Sequence, residues 1–327
     1  MAMIIATLIL ATGTVNAKPV FTEPEHVKGI YLSGWTASSK NLDKLIALAN
    51  ATEINSFVID VKDSSGLTYK KMTPNIVKVL QKLKDNNIYP IARIVVFYDP
   101  VLAKNRPDLA VVDSRTGKAF NDGRGAGWIN PYKKEVWGYN LQIANEAIAL
   151  GFGEIQWDYV RFPDVKQSQA KFVRYPDKNE YTRAETIYQF IHYARNNLGS
   201  EIVMTADVFG LVTTVKDDLN IGQKWEPILN IVDFIHPMVY PSHYAKGEYG
   251  IKVPNAEPYN IVHRALSDAV KRSKHQENKI RPWLQAFTLG KPPYTEYHIR
   301  QQIKAASDLG IQEYLLWSPS NKYAISR

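Results

Sequence analysis

Leu150-Gly151-Phe152-Gly153-Glu154-Ile155-Gln156-Trp157-Asp158 contains the end of one helix, a turn and the strand that follows it. Glycine takes the left-handed helix cap cheaply, and Glu154-Ile155 opens the strand two residues after the turn. The junction recurs at Leu198-Gly199 with Glu201-Ile202, and at Leu309-Gly310 with Glu313-Tyr314. Three copies of one helix-to-strand turn mark a repeating βα unit.

Working outward from these turns, eight strands are predicted: Gly29–Gly34, Ser56–Val61, Tyr89–Val96, Glu154–Tyr159, Glu201–Val208, Val232–Tyr240, Arg281–Phe287 and Glu313–Trp317. Helical patterns lie between them at Leu42–Ala49, Pro74–Asn86, Lys133–Leu150, Arg183–Leu198, Asp217–Leu229, Tyr259–His275 and Tyr297–Leu309. Ile76, Val79, Leu80 and Leu83 share one face of the second, and Ile299, Ile303 and Ala306 one face of the last. Eight strands alternating with seven helices in a chain of 327 residues have the size and rhythm of a single (β/α)₈ TIM barrel. An open doubly wound sheet is the rival, disfavoured because no glycine-rich phosphate loop follows the first strand.

The barrel is expected over residues 18–327. Met1 to Ala17 carries no charge, is apolar from Met3 to Leu10, and ends Val15-Asn16-Ala17. It reads as a signal peptide or the remnant of an N-terminal anchor, too short to span a bilayer as a helix. The protein is therefore expected to be secreted or associated with a bacterial cell envelope, touching membrane only through that segment if it stays uncleaved. The absence of cysteine excludes disulfides, thiolate metal sites and cysteine nucleophiles. The net charge of +8 comes from scattered residues, which does not indicate a nucleic-acid groove. It suits an anionic polymer, although a solvated basic surface is the commoner cause.

In a TIM barrel, function collects at the C-terminal ends of the strands. Reading alternate residues inward gives Asp60 and Lys62 on strand two, Arg93 on strand three, and Gln156 and Asp158 on strand four. Strand five gives Asp207, strand six His236 and Tyr240, strand seven Trp283 and Gln285, and strand eight ends at Trp317. Buried charges cost several kcal/mol unless paired, so five charged residues in one interior point to a site. Any single one of them is equally well read as structural, Asp60 with Arg93 for instance. The rim also offers aromatic faces for sugars at Trp35, Tyr98, Trp128, Tyr159, Tyr240, Tyr244 and Trp317, about half of which are expected only to pack loops.

Two carboxylates on neighbouring strands are the simplest apparatus for glycoside cleavage. Asp158 is expected as nucleophile or charge stabiliser and Asp207 as the acid, with Asp60 as the reserve donor. Trp35, Asp60, Lys62, Arg93, Arg161, His236, Tyr240, Gln285 and Trp317 are the expected substrate-binding residues. No cofactor is expected, and no metal, because the seven histidines are dispersed without a ligand motif. A Schiff-base role for Lys62 is disfavoured, since Asp60 and Asp63 would raise its pKa. A non-catalytic carbohydrate-binding barrel would use the same aromatics and charges, and stays open as the alternative.

The segment Glu154-Ile155-Gln156-Trp157-Asp158-Tyr159-Val160-Arg161-Phe162-Pro163 resembles the (F/W)DYVRFP signature of a bacterial family of glycoside-hydrolase-like barrels. Gly34-Trp35, Asn55 to Asp63 and Pro237 to Tyr244 are similar to the same family. The resemblance spans Val27 to Ser320 and implies the barrel fold and action on carbohydrate. In the α-amylase-like and α-galactosidase-like barrels an aspartate ending strand four is the nucleophile, a position matched by Asp158. Strand five carries Asp207 where the amylase-like barrels have glutamate, and strand six carries His236 where a carboxylate is the other option.

Overall fold

The computed structural model describes residues 21–123 and 125–326. The leader reading of residues 1–17 falls outside them. Eight parallel strands close into one barrel: β1 (Lys28–Leu32), β2 (Ser56–Lys62), β3 (Tyr89–Val95), β4 (Glu154–Asp158), β5 (Val203–Phe209), β6 (Phe234–Met238), β7 (Trp283–Gln285) and β8 (Tyr314–Trp317). Closure is made by β8 on β1, with Lys28 opposite Tyr314. Each of the first seven strands is followed by a helix of the outer layer: α1 (Asn41–Ala51), α2 (Ile76–Asp85), α3 (Lys134–Leu150), α4 (Arg183–Leu198), α5 (Trp225–Leu229), α6 (Pro258–Ser273) and α7 (Glu296–Ser307). Among the described residues, no helix is long and apolar enough to cross a membrane.

The three junction glycines, Gly151, Gly199 and Gly310, all take positive φ, at 104°, 86° and 79°. One expected helix is much shorter than its pattern. Asp217–Leu229 is helical only from Trp225, because Leu219 and Asn220 turn left-handed (φ 51° and 56°) and Gly222 follows at 85°. A right-handed helix cannot pass through three such residues.

Two packed layers hold the fold. The outer one sets the strands' outward residues, such as Phe57, Ile59, Ile94, Ile155 and Trp157, against the helices. The inner one, with Val27, Tyr31, Val58, Tyr89, Ile91, Trp283 and Leu315, fills the barrel itself. Beneath it lies a buried ion cluster. Arg281, fully buried, donates from Nη1 to both oxygens of Glu154 at 2.8 and 3.0 Å, from Nε to Glu313, and from Nη2 to Glu23 at 3.2 Å. Its guanidinium also lies 3.8 Å from the centre of the Phe234 ring.

Burial, opposed by Arg281, pushes Glu154 up from 4.5 to about 7. A raised folded-state pKa contributes stability that is present below 4.5 and is lost as pH rises to 7. At about 1.4 kcal/mol per pH unit, the loss across that window is about 3 kcal/mol. Urea unfolding of Glu154→Gln is expected to lack this component, and an unchanged pH profile in that variant would assign it to another group.

The long loops on the C-terminal face are tied together. Val112–Asp113 and Lys118–Ala119 follow β3, Val173–Arg174 follows β4, and the three pair as a small antiparallel sheet. One wall of the barrel mouth is thereby held by loops from two adjacent strands.

Candidate active site

A cavity of about 630 Å³ opens at the C-terminal face. Of the residues expected to form the site, Asp158, Asp207, Arg93, Arg161, Tyr240 and Trp317 line it. Trp157 on β4 stands opposite Ala206 on β5, so Asp158 and Asp207 end neighbouring strands one step further on. Strand neighbours stand about 4.8 Å apart.

The two acids have different surroundings. Arg93 reaches one residue of each flanking strand: Nε and Nη2 donate to Asp158 Oδ2 at 2.9 and 2.5 Å, and Nη1 to Asp60 Oδ1 at 2.5 Å. The Tyr31 hydroxyl donates to the other oxygen of Asp60 at 2.6 Å. Asp158 Oδ1 accepts from the amide of Tyr159 at 2.6 Å. The chain turns sharply just beyond this contact: Tyr159 has φ 49°, which is rare for an aromatic residue and is the sort of strain found at functional sites.

Asp207 meets mainly neutral donors. The Gln156 amide donates to its Oδ1 at 2.8 Å and the Trp283 indole at 2.9 Å, while His236 Nδ1 lies 3.3 Å from the same oxygen. Oδ2 has no partner among the described residues. Burial pushes the Asp207 pKa well above the usual carboxylate range, and the charge of Asp158 adds to the rise. His236 lies beneath this group, fully buried, and burial holds its pKa well below the ordinary histidine value. It is neutral at pH 7. Gln156 Nε2 stands 2.5 Å from His236 Nδ1.

Five expected binding residues do not line the cavity. Asp60 is buried behind Arg93, and His236 supports Asp207 from below. Gln285 braces the rim, accepting from the Ser242 amide at 3.0 Å and donating to the Phe287 carbonyl at 2.9 Å. Trp35 lies on the short helix Gly34–Ala37 after β1, half-exposed and away from the cavity. Lys62 faces the other way. A bulge between Asp60 and Lys62 shifts the register, with Asp60 opposite Arg93 and Lys62 opposite Ile94, and an extra residue reverses the side-chain alternation. The Lys62 ammonium therefore pairs with Asp99 at 3.0 Å and lies 4.9 Å from the ring of Tyr139 on α3.

Arg161 lines the cavity from among the rings of Trp128, Tyr159 and Phe209, 4.6 to 5.0 Å from their centres, and donates to the Phe162 carbonyl at 3.0 Å. The cation on Asp158 is Arg93. Tyr98 and Trp128 pack loops, their rings 5.2 Å apart.

Trp283 and Gln156, both read as inward-facing from strand alternation but given no role, are the residues that donate to Asp207. Tyr31 and the cavity-lining Leu211, Leu219 and Ile221 had no signal in the sequence. Among the described residues, no three histidine, aspartate or glutamate side chains converge as metal ligands.

Two carboxyl groups on neighbouring strands at the mouth of a closed (β/α)₈ barrel are an arrangement suited to glycoside cleavage. The sequence matches, over residues 29–323, the family described as "Putative glycosyl hydrolase domain", and the chain belongs to that family. It is 39% identical to a hypothetical protein from Ruminiclostridium thermocellum, over 55% of this chain and 97% of that one, with a TM-score of 0.48. Two more distant structures share the fold. The α-galactosidase from Thermus thermophilus, solved with stachyose, is 12% identical over 92% of this chain and 63% of its own, with a TM-score of 0.58. The spore cortex-lytic enzyme SleL from Bacillus cereus is 13% identical over 91% of this chain and 72% of its own, with a TM-score of 0.55. The sequence matches none of the curated proteins with which it was compared.

Proposed function

We propose that this chain is an exported glycoside hydrolase that cleaves a poly- or oligosaccharide of the cell envelope or extracellular matrix. Asp158 acts as the ionised nucleophile or charge stabiliser, and Asp207 donates the proton to the leaving oxygen. Export through a leader ending at Ala17, and an anionic polymer as substrate, belong to the same reading.

The observation that carries it is the contrast between the two acids. Asp158 is gripped by two N–H groups of Arg93, whereas burial and the nearby charge of Asp158 favour the neutral form of Asp207. Acid/base division needs environments that separate a pair in this way. The proton also has a definite place. Two N–H groups donate to Asp207 Oδ1, so the acidic hydrogen sits on Oδ2, the oxygen left for a ligand. Adjacent strand ends favour the short carboxylate spacing of retaining enzymes, about 5–5.5 Å. In that course Asp158 attacks the anomeric carbon through Oδ1 while Asp207 protonates the departing oxygen. Asp207 then takes a proton from the water that releases the sugar.

A polysaccharide panel read by new reducing ends, run beside Asp207→Asn, tests this. On substrates with sugar leaving groups the variant is expected to lose about 10²–10⁴-fold in kcat. On aryl glycosides whose leaving group needs no protonation the loss should be far smaller. Equal activity of variant and wild type on both would move the acid elsewhere.

A further inference from the structure

Beyond the two acids, the cavity changes character. Phe209 stands one inward step above Asp207 and pairs in register with Met238 on β6. Leu211, Leu219 and Ile221, from the loop after β5, continue this wall. Phe209, Leu211, Leu219 and Met238 are each only partly buried, so their apolar surface faces the cavity. The wall is built deliberately. Leu219 holds φ 51° in the left-handed region, a costly place for leucine when asparagine or glycine would sit there more easily.

An unsubstituted sugar ring carries a hydroxyl on nearly every carbon. Hydroxyls pressed against this wall would lose their water and gain no partner, which is unfavourable. A methyl-bearing substituent would gain from the same contact. At the edge of the wall, the Tyr240 side chain is 6% exposed and lines the cavity, and its hydroxyl has no partner among the described residues. Burial raises its pKa, as do Asp207 and Asp158, so it keeps its proton and can only gain by donating it. An apolar wall with a free donor beside it matches an acyl group, whose methyl needs the wall and whose carbonyl oxygen needs the donor.

We propose that the sugar bound against Asp158 and Asp207 is an N-acylated amino sugar, with its acyl methyl on the Phe209–Leu211–Leu219–Met238 wall and its carbonyl oxygen accepting from the Tyr240 hydroxyl. This rests on the hydrolase reading of the site and names its substrate class. The wall decides specificity, because neither acid distinguishes an acetamido group from a hydroxyl.

The test uses matched pairs of aryl glycosides and of oligosaccharides, 2-acetamido against 2-hydroxy, in gluco and galacto series and both anomers. Wild type is expected to favour the acetamido member by about 100-fold in kcat/KM, within the range for losing an apolar contact together with a buried hydrogen bond. Leu219→Asn, which suits the left-handed backbone while making the wall polar, should reduce that ratio at least tenfold. Tyr240→Phe should reduce it independently. Equal or better turnover of the 2-hydroxy member would overturn the inference and leave the hydrolase reading standing. A preference that follows the aryl group rather than the acetamido group would also overturn it, by making the wall an aglycone site. Should none of these compounds be cleaved, equilibrium binding of N-acetylglucosamine and N-acetylgalactosamine against glucose and galactose decides. Tighter binding of the acetylated sugars, weakened in Leu219→Asn, supports the proposal, and equal binding ends it.

Discussion

Asp158→Asn is expected to lower kcat by on the order of 10⁴-fold or more on any glycoside the panel identifies, as loss of a central catalytic group does. Substrate affinity should stay near that of wild type, because the amide occupies the space of the carboxylate. The effect is large because neither Asp60 nor Asp207 is placed to replace the charge. Arg93 holds Asp158 through one oxygen and Asp60 through another, and Asp60 is buried beneath with its second oxygen taken by Tyr31. Asp207 lies on the neighbouring strand, and burial favours its neutral form. The amide also sets an N–H group against either the Tyr159 amide or Arg93, so a stability loss of about 1–3 kcal/mol accompanies the substitution. Thermal melts and equilibrium binding of a substrate oligosaccharide separate that loss from the loss of chemistry. Undiminished turnover in a folded Asp158→Asn would end the two-carboxylate mechanism. A glycosyl ester on Asp158, sought by mass spectrometry of quenched wild-type reactions, would make it the nucleophile. Its absence under conditions that accumulate such intermediates would make it the charge stabiliser.

The second large effect concerns stability. Arg281→Met is expected to cost about 3–5 kcal/mol, the usual consequence of removing one partner from a buried ion pair. Arg281 is the cation serving Glu154, Glu313 and Glu23 at the floor of the barrel, and Glu154 is itself fully buried. Methionine would cover Phe234 but leave those carboxylates without a counter-charge. The loss should shrink on acidification, because Glu154 would be protonated in the folded variant over a wider pH range than in wild type. In urea unfolding, Arg281→Met combined with Glu154→Gln should recover part of the stability lost at pH 7. A double variant no more stable than the single one would show that packing of the arginine stem, rather than charge, holds the floor.

Much of this protein could be read from local pattern. The junction at Leu150-Gly151 and its two copies depend on a backbone conformation that glycine reaches at little cost, and such a requirement is visible without any partner residue. The alternation within β4, where Gln156 and Asp158 face in and Ile155 and Trp157 face out, follows from the pleat of a single strand. Arg93, Asp158, Asp207, Tyr240 and Trp317 met at the cavity because each strand kept its phase to the end.

The misreadings came where phase or helicity depended on something distant. Lys62 left the barrel because of one extra residue in β2, and a bulge has no signature in Asp60-Val61-Lys62 itself. Asp217–Leu229 has an apolar helical pattern, yet Leu219 is held left-handed and presented to the cavity by its surroundings.

The sequence by itself determined the class of fold, the number of strands and which two aspartates stand on neighbouring strands at the barrel mouth, because these follow from period, glycine placement and residue type. Only the tertiary structure decided how those acids differ. Whether a carboxyl is charged depends on which groups surround it, and those groups come from other strands: Arg93 from β3 for Asp158, and Trp283 from β7 and His236 from β6 for Asp207. Hydrogen bonds and burial that cross the barrel are set by closure of the whole sheet, which no single segment encodes.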